Sequence, residues 1–152
     1  MMGFFFSLLG KDPTLTGRTE LWHDVFNHAM DHFLAGPGFA VFWTGGRLAD
    51  LHSIHSWGPQ QAHNGYLEIF AQLGIIGIIL LGMTLVKVFH NISKLNPLSN
   101  PDRKMLFILF LAVVLINLTE ANYGSGTNLM WFLFLALLTV SSRIVFDQKD
   151  RI

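Results

Sequence analysis

An all-helical membrane protein is the fold class that this sequence predicts, on three observations. Only 13% of the 152 residues are charged and 51% are hydrophobic, whereas an ordinary soluble domain carries about 25% charged residues. The apolar residues are gathered into three blocks instead of being spread along the chain. Lysine and arginine crowd some connections between those blocks and avoid others, the asymmetry by which membrane helices are oriented. Ten basic residues balance ten acidic ones, so no net positive field exists to attract nucleic acid, and no such partner is expected. The absence of cysteine excludes disulfide scaffolds, thiolate catalysis and zinc–thiolate sites.

Residues 1–9 are apolar but lack the basic leader and small-residue cleavage site of a secretory signal, and they read as the end of a truncated transmembrane helix. Residues 10–66 form a polar segment with an amphipathic helix over 19–34. Leu21, Trp22, Val25, Phe26, Ala29 and Phe33 recur at three- and four-residue steps. Thr19 is a suitable cap, Glu20 a favourable first-turn acid, and Gly36-Pro37-Gly38 a stop. Such a helix suits a membrane interface or packing on other protein. From 39 to 61 the pattern dissolves into Gly, His, Ser and Pro with aromatic insertions, which predicts a loop.

The first apolar block, 67–89, is interrupted by Glu68, Gln72, Thr84 and Lys87, with a centre free of polar side chains. At about 20 residues per crossing it can span a bilayer. The second, 105–119, spans if Arg103 and Lys104 snorkel and if Thr119 and Glu120 face protein. The third is 129–146. Lys94, Arg103 and Lys104 place the 90–104 connection in the cytoplasm, and Arg143, Lys149 and Arg151 do the same for the 147–152 tail. The 120–128 connection has no Lys or Arg and belongs outside, which puts 10–66 on the periplasmic face.

Several polar residues of that face could carry chemistry. Arg18, between Gly17 and Thr19 at the start of a helix, makes a reasonable anion or phosphate seat. The alternative is a surface arginine pairing with Glu20 or Asp12. Arg47, after Gly45-Gly46, has similar surroundings. His63 lies directly before the first span, where a histidine can take a proton near neutral pH and serve as a general base; the alternative is an interfacial histidine bonded to a carbonyl. Glu120, at the end of a span, is expensive unless paired, and would meet an arginine or reach water. His28, His32, His52 and His55 complete no recognised metal signature and read as polar-face residues, so no metal is expected.

The strings TLTGRTELW (14–22), AGPGFAVF (35–42), AHNGYLEIFAQLGIIG (62–77) and NLTEA (117–121) together resemble the C-terminal conserved region of the O-antigen ligase and polymerase family. The resemblance implies the C-terminal part of a multi-pass, helical, GT-C-like glycosyltransferase of the bacterial inner membrane, with its active face periplasmic. It covers only about the last third of a typical member, which implies a fragment, inactive by itself. The implied donor is an undecaprenyl-diphosphate-linked glycan and the implied acceptor a glycan or lipid A-core. No cofactor is implied. The arginine of the family's Gly-Arg-Thr element is Arg18, a diphosphate ligand, and the histidine of its His-Asn element is His63, the base. Arg47, Asn64 and Glu120 join Arg18 as expected substrate-binding residues. Arginines can neutralise the departing diphosphate without a metal, and direct attack by the acceptor would invert the sugar. Two departures stand out: Pro37 separates the glycines, and Gln72 replaces a common acid. A transporter or flippase fragment is one alternative, favoured if Asn117 and Glu120 lined a path across the bilayer while Arg18 and His63 faced away from each other. A non-catalytic membrane subunit is the other, favoured if neither Arg18 nor His63 opened on a cavity.

Overall fold

The computed structural model describes residues 17–95, 103–123 and 128–149, and every regular element within them is a helix. These are α1 (Arg18–Met30), α2 (Gly45–Ile54), α3 (Gly65–Lys94), α4 (Arg103–Ile116) and α5 (Leu129–Lys149). The expected helix end at 1–9, Asp12, parts of the 90–104 and 120–128 connections and the end of the 147–152 tail lie outside the described residues.

The helix expected over 19–34 is shorter. Leu21, Val25 and Ala29, one every fourth residue, form its buried stripe, which is why the periodicity was legible. Gly17, with φ 78°, takes the cap position expected of Thr19, and the helix gives way after Met30. Gly36-Pro37-Gly38 is therefore not its stop. The loop expected over 39–61 contains α2, whose one buried residue is Leu51; a helix anchored at a single point leaves no apolar rhythm in the sequence.

The glycine–proline–glycine segment serves α3. Asn64 Oδ1 caps that helix by accepting from the amides of Tyr66 and Leu67, both at 3.0 Å. At Gly74 the backbone leaves the helical region, with φ 64° and ψ −160°. An interrupted helix strands amides and carbonyls, and here residues 33–38 meet them. Gly38 N donates to Gln72 O at 3.0 Å, while Ile75 N and Ile76 N donate to the carbonyls of Phe33 and Leu34 at 2.8 and 3.2 Å. The two backbones approach so closely that a Cβ on Gly36 would overlap the Gln72 carbonyl, and one on Gly74 would overlap Leu34.

Beyond the break, residues 75–94 rise about 1.5 Å each, close to the roughly 30 Å of a bilayer core. Among the described residues α3 is the one helix long and apolar enough to cross a membrane, and the apolar part of α5, Leu129–Ile144, is shorter. Ile76, Ile79, Leu80, Met83 and Val86 leave one α3 face exposed and apolar. The opposite face packs on α4 and α5 through Leu81, Val88, Phe110, Val113, Phe134 and Leu137. A second apolar cluster seats α1 and α2 on the first turns of α3 through Leu21, Val25, Phe42, Leu51, Phe70 and Ala71. α4 stops at Ile116, short of the expected 119. Residues 118–120 continue as turns bonded to Leu115 and Ile116, and these turns face the start of α3.

Gly36→Ala should destabilise the fold. Its φ of 66° strains any L residue and the added methyl has backbone in its way; strain alone costs about 1–3 kcal/mol. Thermal unfolding in detergent should show a clearly lowered midpoint, whereas Gly82→Ala, in open space, should not.

Candidate active site

Glu68 sets the backbone on which the site is built. It is 5% exposed and accepts three hydrogen bonds: from Trp43 Nε1 at 2.6 Å, from Gln72 Nε2 at 2.6 Å and from Ala62 N at 2.7 Å. Gln72 Oε1 in turn accepts from Ala40 N at 2.7 Å. The Gln72 departure thus has a local meaning, since an acid there would offer Glu68 no donor. On its other side Ala62 is held through its carbonyl, which accepts from Trp22 Nε1 at 2.8 Å. Both ends of the residue before His63 are therefore pinned. Sequence reasoning treated Glu68 only as an interruption in a span, although a carboxylate inside an apolar block is itself a sign of a satisfied network.

His63 follows in the left-handed region at φ 51°. That conformation is strained for a residue with a Cβ and gathers at functional sites. Its side chain is mostly buried at 21% exposure, and Nδ1 lies 3.6 Å from Glu120 Oε2. That separation exceeds a hydrogen bond, and Nδ1 is otherwise buried without a partner. The Trp57 ring lies beside the imidazole, centroids 5.9 Å apart.

Arg18 reaches the same carboxylate from α1. Its Nη2 donates to Glu120 Oε1 at 3.3 Å and its Nη1 to the Thr119 carbonyl at 2.7 Å. The partner is thus Glu120, not the Glu20 considered from the sequence. Asn64, besides capping α3, donates through Nδ2 to the Leu118 carbonyl at 3.2 Å. Gly65 N donates to Asn117 O at 2.8 Å, and a Cβ on Gly65 would strike the Asn117 side chain. Buried Asn117 holds the following turn by accepting from the amides of Asn122 and Tyr123 at 3.0 and 3.1 Å. Burial, and then the phenol of Tyr66, push the Tyr123 hydroxyl up from its ordinary range. Glu120 is consequently carried on a turn fastened to the start of α3.

The structure gathers Arg18, His63, Asn64 and Glu120 at one end of the helices. Arg47 stands apart: its Nε donates weakly to Phe42 O at 3.4 Å and its guanidinium lies over the Phe42 ring. His55 is not the polar-face residue expected. It is 6% exposed and bonds Asp24 Oδ2 at 2.9 Å, tying α2 to α1. Among the described residues no group of three His, Asp or Glu side chains could hold a metal ion.

Glu68→Gln should destabilise the protein by about 1–3 kcal/mol, because an amide NH₂ must then face one of three N–H donors and leave it unbonded. Chemical or thermal unfolding should register the loss, while Glu20→Gln, exposed in the first turn of α1, should leave stability nearly unchanged.

A family model described as O-antigen ligase matches residues 3–82, more than half of the chain and the part that carries Arg18, Arg47, His63 and Asn64. The exopolysaccharide production protein ExoQ of Rhizobium meliloti (strain 1021) is 36% identical over 135 residues, 81% of this chain and 31% of that protein. Proteins of Rickettsia conorii and Rickettsia felis, both carrying polysaccharide ligase in their names, are 28% and 27% identical over 152 residues, 92% of this chain and 36% of each relative. The chain spans about a third of the length of these relatives. No solved structure matches. With residues 3–82 matched by that family model, the chain belongs to the O-antigen ligase family.

Proposed function

We propose that this chain carries catalytic residues of a membrane glycosyltransferase of surface polysaccharide assembly. The reaction transfers or polymerises a glycan from undecaprenyl diphosphate onto a glycan or lipid A-core acceptor. The observation that carries the reading is the convergence of Arg18 and His63 on the two oxygens of one carboxylate, at 3.3 and 3.6 Å. A diphosphate ligand and a base must share one pocket, on opposite sides of the sugar, because the bond that breaks and the bond that forms share one carbon. A flippase or structural subunit has no such requirement. The names of the relatives, exopolysaccharide production and polysaccharide ligase, support the substrate class.

The division of labour follows from the chemistry. The acceptor hydroxyl is a weak nucleophile; His63 takes its proton as the oxygen bonds to the anomeric carbon. The bond from that carbon to the diphosphate breaks, and its electron pair leaves with the phosphate. Arg18 stabilises the charge gathering there with a planar fork that can hold two phosphate oxygens. Attack opposite the leaving group inverts the sugar, and neither a covalent intermediate nor a metal is needed. Asn64 holds His63 in register by capping α3. Arg47 serves a more distant part of the donor. The reading places this face in the periplasm, with α3, α4 and α5 in the inner membrane.

In a full-length enzyme that contains this region, Arg18→Lys should cut glycan transfer about tenfold or more although the charge remains, because an ammonium cannot bridge two oxygens. His63→Gln should raise the barrier by about 3–5 kcal/mol while donor binding survives. Assays of transfer in membranes of a strain lacking its own enzyme read both. Near-parental rates in either variant would remove that residue from its role.

A further inference from the structure

Glu120 is shared. One oxygen is bonded to the arginine proposed to hold the donor, and the other stops just short of the histidine proposed as base. His63 Nδ1 is the notable orphan: buried, without a hydrogen-bond partner, and facing Glu120 Oε2 across 3.6 Å. A base whose second nitrogen is unbonded has no fixed tautomer, whereas a carboxylate on Nδ1–H would leave Nε2 free to accept a proton. Buried polar atoms left unbonded are costly enough to need an explanation. A few tenths of an ångström separate this arrangement from a bonded pair.

The carboxylate is held back by Arg18, and the same guanidinium is where a diphosphate would bind. Resting on the proposed function of this site, we infer that Glu120 is a positioning residue that donor binding hands from Arg18 to His63. Nη1 of Arg18 is anchored on the Thr119 carbonyl at 2.7 Å, so the guanidinium need not move when its other donors exchange one anion for another. The diphosphate brings more negative charge than a carboxylate and fits the planar fork. Once displaced, Glu120 turns toward Nδ1. Its side chain is 47% exposed, so packing does not resist the turn. The histidine is then oriented only when a donor is in place, which keeps an armed base from acting on an empty site.

The exchange makes a prediction that an ordinary structural role does not. Glu120→Gln removes a competitor for Arg18 and also removes the orienter of His63, so affinity and turnover must move in opposite directions. Binding of undecaprenyl diphosphate to a purified full-length enzyme containing this region, in nanodiscs, should tighten by about two- to fivefold, the scale of one partly exposed ion pair. Transfer from the lipid-linked glycan at saturating donor should fall about ten- to hundredfold, as when the orienting partner of a functional group is lost. Weaker binding, or unchanged turnover, would overturn the exchange. Arg18→Lys and His63→Gln are measured alongside. If both behave as the parent, the donor-and-base reading itself falls; if both are impaired while Glu120→Gln fails its test, only the exchange falls.

Discussion

The buried carboxylate of Glu68 is the constraint on which the rest of the arrangement depends. Removing a carboxylate from water costs several kcal/mol unless its lone pairs are met, and at this position three separate parts of the chain meet them. Trp43 brings the segment before α2, Ala62 the approach to α3, and Gln72 the next turn of α3 itself. Residues 33–38 dock on the same stretch of α3 because its backbone opens at Gly74. The first nine residues of α3 thus form a fixed post, and α1, α2 and their loops are built around it, with an apolar cluster that includes its own Phe70 and Ala71.

That arrangement explains how weakly helical segments can present a precise site. Arg18 comes from the start of α1, His63 from the residue before the α3 cap, and Glu120 from the turn after α4. Each is fastened at or beside the post by hydrogen bonds to backbone carbonyls: Trp22 Nε1 to Ala62, Gly65 N to Asn117, Asn64 Nδ2 to Leu118. The charged side chains then meet across 102 residues of sequence. Two cationic or cationisable groups around a single carboxylate leave the site able to accept further negative charge, the condition a departing diphosphate imposes.

The sequence made some of this legible and concealed the rest for physical reasons. α1 was readable because Leu21, Val25 and Ala29 bury one face at helical spacing, and α3 because its apolar run is long enough to cross a bilayer. α2 was hidden by having one buried residue, Leu51. The Gly36-Pro37-Gly38 segment looked like a helix stop because left-handed glycines serve both purposes; only the approach of Gly74 to Leu34 distinguishes them. Arg18 and His63 could be singled out from their local strings and the family resemblance. Glu120 was singled out too, as an acid that would meet an arginine or reach water, but nothing local to it announces which arginine it meets. Glu68 was visible as a charge in an apolar block, but its three donors are spread from residue 43 to residue 72.

The central claim is that one pocket holds both the diphosphate and the base, and its most direct measurement is a cryo-EM structure of a full-length enzyme containing this region, in nanodiscs with undecaprenyl diphosphate bound. The account predicts phosphate density against the Arg18 guanidinium, on the side that faces His63, with the Arg18–Glu120 pair opened. Phosphate density at Arg47 or elsewhere, with Arg18 still paired to Glu120, would contradict it.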